Sequence, residues 1–457
     1  MKKETKRFAQ FRWRLYDKLG CRADRKMELL DALCSDHRAQ SVVELSLTPA
    51  FRAHYSTIFH AIDELTLSST QLRQFASFDA PRPRALPCWV FAVDVTPCPR
   101  PYARTLKERA YVYQTTPTPG QKPIAVGHQY SSTVLLPEPE DGVGSWVVPV
   151  ATKRCAYGKD KELVGIEETN AALNDERMKW FGELTMMVGD TSYSKPAAVD
   201  AYLSDESDVI GGNDKRLLLT RLRSNRVVFD PPPANSRRWY GERFALNDPM
   251  TWRPADVTET FTQITAKGKR LTVTAQAWFD MRIRGHRKPK RLPMHTYPFT
   301  LIRITVRDEY GRDVFKNSLW LSLFGQKRAD LSLEQTYTAY TRRARIEQFF
   351  RFSKQHLLLH RFQTAELERA EAWWTLSHLA YTQLWQARHL VRSLPRPWEK
   401  YLPMMKQRLS TPRTVQRGFE RLIQQLGTPA RPPKPRNRSS GRRPGQGRRR
   451  RIRYQFP

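Results

Sequence analysis

The sequence predicts an α/β protein: a mixed sheet flanked by helices and interrupted by a β-rich insertion, with a helical N-terminal region and a disordered basic C-terminal tail. Three observations carry this reading. Short continuous apolar runs, "CWVFAV" (88–93) and "LTMMVG" (184–189), suit strands buried on both faces, and helical stretches lie between the later strands. A Pro-rich, β-branched stretch over 230–316 breaks that order. Residues 428–457 hold eleven Arg and Lys and no acid, so they cannot bury a core and are expected to be disordered until they meet phosphate.

The elements follow in chain order. Residues 1–85 read as mostly helical, ending in the Pro-rich joint "FDAPRPRALP" (78–87); their charge favours a DNA-end-binding region over a helical lid. In 86–229, strands are expected at 88–96, 123–136 and 144–152 as an antiparallel meander. A helix at 170–184, a strand at 184–190, a helix near 194–205 and a strand at 216–229 follow. Residues 230–316 read as an inserted β-rich module. "NSLWLSLFG" (317–325) returns to a buried strand, and 331–395 is helical, with Trp373, Trp374, His378 and Trp385 as core. Within 396–428, "STPRTVQRGFERLIQQLG" opens like a helix on its Thr-Pro start. The basic tail occupies 429–457.

Length and charge bound the function. A chain of 457 residues has room for two or three domains, and 40% apolar content allows most of it to fold. A formal charge of +33 exceeds what solubility needs and points to a polyanionic partner, most simply nucleic acid. No apolar run approaches the ~18 residues of a membrane span. The basic N-terminus lacks the apolar segment of a secretory signal. Cys21, Cys34, Cys88, Cys98 and Cys155 are scattered without a C-x-x-C, which suggests a reducing cytoplasm and neither a disulfide framework nor a zinc site. A cytoplasmic location, in association with nucleic acid, is therefore expected.

The chemistry concentrates in "YTRRARIEQFFRFSKQHLLLH" (340–360), where Glu347 stands alone among five Arg/Lys and two His. On one continuous helix, Tyr340, Arg343, Glu347, Arg351 and Lys354 fall within roughly 80° of each other along about 21 Å, beside an apolar face of Ile346, Phe350 and Leu357. Taken alone this could be a salt-bridged surface helix, its i,i+4 pairs each contributing about 0.2–0.5 kcal/mol. Two apolar strands, however, each end in a lone acid, Asp94 and Asp190. Acids at the ends of neighbouring strands, joined by one on a packed helix, make an oxygen cluster suited to Mg²⁺ and to two-ion chemistry at phosphorus. Asp205, Asp208 and Asp214 lie in polar, loop-like stretches and are poorer candidates.

Tyr340, Arg343, Glu347 and Lys354 match, in all letters and gaps, the Y-(2)-R-(3)-E-(6)-K signature of bacterial cut-and-paste insertion-sequence transposases. With Asp94 in "FAVDVT" and Asp190 in "VGDTSY", the sequence resembles a DDE transposase over residues 86–395. "GDTSY" departs from the commoner "DRGY"-like form and weakens any role for Tyr193. The resemblance implies an RNase H-like catalytic domain with its insertion ahead of the Glu helix. It implies metal binding by Asp94, Asp190 and Glu347, with two Mg²⁺ ions or Mn²⁺ in their place. It also implies phosphate contacts from Tyr340, Arg343 and Lys354; Arg351 joins them on helical geometry only. Trp320 is expected to stack on a base flipped out beside the cut, against the alternative that it is core, with Trp239, Trp252 and Trp278 as substitutes. The implied activity is transposition: a homodimer binds the double-stranded ends, cleaves them and joins 3′-hydroxyls to target DNA. A nuclease without strand transfer and a non-catalytic DNA-binding derivative are the competing readings.

Overall fold

The computed structural model describes residues 2–35, 38–78, 80–103, 105–113, 123–204, 213–265, 268–285, 292–392, 398 and 409–433. The basic tail expected at 429–457 lies outside the described residues from 434 onward, as do Asp205 and Asp208.

Four helices open the chain: α1 (Lys2–Lys18), α2 (Ala23–Cys34), α3 (Ser56–Asp63) and α4 (Ser69–Phe78). Then come β1 (Trp89–Pro99), β2 (Ala110–Tyr113), β3 (Ile124–Leu135), β4 (Val148–Cys155), α5 (Lys161–Leu173), β5 (Thr185–Gly189), α6 (Pro196–Leu203) and β6 (Arg216–Leu222). The insertion carries β7 (Val227–Phe229), β8 (Arg243–Ala245), β9 (Val257–Ile264), β10 (Arg270–Met281) and β11 (Phe299–Arg307). The chain returns through β12 (Leu319–Phe324), α7 (Leu333–Thr341), α8 (Ala344–His356), α9 (Leu367–Gln386), α10 (Arg388–Arg392) and α11 (Pro412–Leu426).

The sheet order is β2-β3-β1-β5-β6-β12-β11-β10-β9, with β4 also on β3. The segment β4-β3-β1-β5-β6 has its first three strands antiparallel and β5 and β6 parallel to β1, which is an RNase H-like sheet. Its central strands are buried along nearly their whole length, because helices cover both faces and leave no side for polar residues.

Four details differ from the sequence reading. β1 does not stop at Asp94 but runs on to Pro99, still paired with β3. The helix expected at 170–184 lies at Lys161–Leu173: the Asp160 carboxylate caps it by accepting from the Glu162 and Leu163 amides, and it ends at Asn174. The single strand expected over 216–229 is split by a turn into β6 and β7, which belong to different sheets. The insertion strands β9–β11 are not a separate module. They continue the main sheet through β12, whose outer backbone groups would otherwise lack partners.

One contiguous apolar core runs from Phe8 to Ala430. The N-terminal helices belong to it, since α2 packs on α9 and α11. The contact is fixed by a buried polar knot. Arg12 donates twice to Asp31 at 2.8 Å, and Gln383 and Thr428 donate to the same carboxylate at 3.1 and 3.0 Å. Trp373, Trp374, His378 and Trp385 are buried, as the sequence indicated.

Candidate active site

β1 and β5 lie side by side with Ala92 opposite Val188, so Asp94 and Asp190 come level at one edge of the sheet. Asp94 is held by the Val95 amide, which donates to its Oδ1 at 2.8 Å. Burial raises its carboxyl to about 6; Arg343 and the Val95 amide pull it down, while the charges of Asp190 and Glu347 add to the rise. Asp190 opens a short 3₁₀ turn, and its Oδ1 accepts from the Ser192 amide at 2.8 Å.

Beneath these acids lies Tyr193, 1% exposed. Its ring packs over Gly189, where a Cβ would come within 2.7 Å of the Tyr193 side chain. Its phenol is pushed well up by burial, with the Asp94 and Asp190 charges adding. The sequence reading gave Tyr193 little weight, because "GDTSY" departs from the commoner "DRGY"-like form.

The third acid arrives on a joint between two helices. A capping box, Ser332 with Gln335, starts α7, and the chain then tightens through i,i+3 hydrogen bonds at Tyr340–Arg343, Arg342–Arg345 and Arg343–Ile346 before α8. The expected single helix is thus two, with Tyr340 on the first and Glu347 on the second. Ile346, Phe349, Phe350 and Phe352 face the core, leaving Glu347 and Arg351 exposed and Arg343 and Lys354 half-buried.

Arg343 connects the acids. It donates from Nη1 to Glu347 Oε1 at 3.0 Å and from Nη2 to Asp94 Oδ2 at 3.5 Å. Burial opposes its charge, but Asp94, Tyr340, Glu347 and Asp190 outweigh that and hold the guanidinium above its ordinary value. Burial raises the Tyr340 phenol, countered by Arg343 and by Arg221. Arg221 follows Thr220, the β6 partner of Gly189, and so stands exposed beside Asp190. The sequence reading missed it, since only the β5–β6 register brings it there. Burial lowers the Lys354 ammonium, opposed by Cys98 and Asp94, which places Lys354 over the outer half of β1. Arg343 is thus within electrostatic reach of Asp94, Tyr340, Glu347 and Asp190, and Lys354 of Asp94. Among the described residues, no three His, Cys, Asp or Glu side chains converge tightly enough to hold a metal ion as they stand.

Trp320 sits elsewhere than a base-stacking role requires. It is 3% exposed, with its ring centroid 5.2 Å from Trp252 and 5.8 Å from Trp278, in an aromatic cluster that also takes Phe244. Trp239, by contrast, is 45% exposed and stacks on His295 at 4.4 Å.

Residues 14–282 match the DDE superfamily endonuclease family, and residues 214–383 match the transposase DDE domain. No curated protein matches the sequence. The first match covers more than half of the 457 residues and the second contains Glu347 and its helix. With an RNase H-like sheet carrying Asp94 and Asp190 level at one edge, the chain belongs to the DDE superfamily of endonucleases and transposases.

Proposed function

We propose that the chain is a DNA transposase that binds inverted-repeat ends as a homodimer, cleaves them in a metal-dependent reaction and joins the 3′-hydroxyls to target DNA. The observation that carries this reading is Arg343, bound at once to the carboxylates of Asp94 and Glu347, with Asp190 level with Asp94. Arg343 thus links an acid of β1 to one of α8, and the β1–β5 register sets Asp190 level with the first, although the three lie far apart in sequence.

Asp94, Asp190 and Glu347 fit a hard divalent cation. The donors are all carboxylate oxygens, and burial, with the Asp190 and Glu347 charges adding to it, raises the Asp94 carboxyl, a cost to its anion that a bound cation would offset. A pair of Mg²⁺ ions, or Mn²⁺, supplies when bound the Lewis acidity that activates a water or 3′-hydroxyl and stabilises the leaving oxygen at phosphorus. The protein's own side chains do the rest. Arg343, Tyr340 and Lys354 hold phosphates near the cut, and Arg351 and Arg221 extend the cationic surface on either side. Exposed Lys3, Lys6, Arg14 and Lys18 of α1 give the N-terminal helices a basic face for end binding. Of the tryptophans considered for base stacking, Trp239 has the most exposed ring.

Asp94→Ala, Asp190→Ala and Glu347→Ala are each expected to abolish Mg²⁺-dependent cleavage of an end-containing duplex while leaving gel-shift affinity within about twofold, since each removes a metal ligand and not a phosphate contact. A variant that cleaves at near the wild-type rate removes that residue from the site. Strand transfer by the wild-type protein separates a transposase from a nuclease that only cuts.

A further inference from the structure

The continuation of β1 beyond Asp94 has no place in the chemistry just described. Over that stretch β1 pairs with β3 from Asp94 opposite Ser132 to Pro99 opposite Gly127. β2 then closes the outer edge, with Tyr111 opposite Val126 and Tyr113 opposite Ile124. A ribbon therefore leaves the catalytic edge, β3 pairing first with β1 and beyond Gly127 with β2 alone. At about 3.3 Å per residue, Tyr111 and Tyr113 lie roughly 20–26 Å from the level of Asp94.

Alternation fixes which way these side chains point. Positions 124, 126, 128, 130 and 132 of β3 share one face, and their cross-strand partners Tyr113, Tyr111, Cys98, Thr96 and Asp94 share it with them. Nearer Asp94 this face is covered: Tyr130 stacks on Trp374 at 3.8 Å, and Cys98 packs with Leu359. Further out the cover ends. Tyr111 is 78% exposed, Tyr113 62% and Ile124 58%. Lys107 and Arg109 are exposed just ahead of β2, and the neighbouring Glu108 is taken up by Arg154.

The basic stripe of α8 leads to the same place. It begins at Arg343, which contacts Asp94, and just past its end the His360 and Phe362 carbonyls accept from Arg100, the residue after β1, so the helix runs along β1 toward the ribbon. We infer that the β2–β3 ribbon is a second DNA contact, whose Tyr111, Tyr113 and Ile124 surface grips the duplex about 6–8 base pairs from the cut, at ~3.4 Å per base pair. The tyrosine hydroxyls donate to phosphates, the rings and Ile124 cover sugar edges, and Lys107 and Arg109 add charge. This inference rests on the DNA-cleaving reading of the Asp94 site.

The test uses the full chain and a random-sequence 40-base-pair duplex in Mg²⁺-free buffer. A benzophenone amino acid is placed at position 113 and, in a second protein, at position 351. Photocrosslinks to DNA from both positions are expected. Crosslinks from 351 alone overturn the ribbon contact and leave the DNA reading standing. Crosslinks from neither overturn both. A protein–protein crosslink from 113, without DNA, overturns the inference in favour of a contact between copies of the chain. Independently, Tyr111→Ala/Tyr113→Ala, at exposed positions that leave the melting temperature unchanged, is expected to weaken duplex binding about tenfold. Unchanged affinity overturns the inference.

Discussion

At Asp94 folding works against the charged carboxylate that the proposed reaction needs. Its carboxyl is raised to about 6 by burial, against an ordinary value near 3.8. A raised acid holds its proton longer in the folded chain than in the unfolded one, so between about pH 4 and pH 6 the folded state binds more protons and loses stability as pH rises. Below that window the group is neutral in both states. Above it the cost is constant. Asp94→Asn is therefore expected to match the wild type in melting temperature at pH 4, to pull ahead through pH 6 and to keep a fixed advantage at pH 8. Melts in EDTA across this range check it; an Asn variant that is less stable than wild type at pH 8 contradicts it. Such a trade is common where a site holds charge that folding alone does not favour.

Among the elements, α5 shows most plainly how local chemistry sets position. The helix begins where Asp160 can accept from two amides, not where the apolar residues of 170–184 cluster. Beyond Leu173 the chain forms turns, and Trp180 goes inward to donate to the Ala172 carbonyl at 2.9 Å. α5 in turn supports the site, because Gly165 lets it approach Val93, Ser131 and the Tyr193 hydroxyl more closely than a Cβ would allow. Asp160→Ala removes the cap and is expected to lower stability by about 1 kcal/mol in urea unfolding. A cost below ~0.3 kcal/mol would mean that packing alone fixes the start of the helix.

For the molecule as a whole, the Asp31 knot ties α1 and α2 to α9 and to the segment after α11. Arg12 comes from α1, Gln383 from α9 and Thr428 from beyond α11. Arg52 also donates to the Ala430 carbonyl, and the Arg431 amide to Asp24. Removing the shared acceptor leaves the Arg12 guanidinium buried without its counter-charge. Asp31→Ala is thus expected to cost about 3–5 kcal/mol, measured by denaturant unfolding, and to loosen both ends of the chain together. A loss under 1 kcal/mol would show that the ends are held by apolar packing alone.

At this largest scale the sequence and the structure divide the work cleanly. The sequence by itself determined the α/β class, the buried strands carrying Asp94 and Asp190, the basic face around Glu347 and the Thr-Pro start of α11. Each of these is written in local periodicity or in a run of neighbouring residues. Only the tertiary structure decided that Arg343 spans Asp94 and Glu347, that Arg221 stands beside Asp190, and that Tyr193 lies beneath the acids. It also decided that Trp320 is enclosed while Trp239 is open, that the insertion strands extend the main sheet, and that β1 runs on into an exposed ribbon. The reason is physical. Periodicity reports which side of an element is apolar, whereas strand order, register and what covers a face depend on hydrogen bonds and contacts between residues distant in the chain.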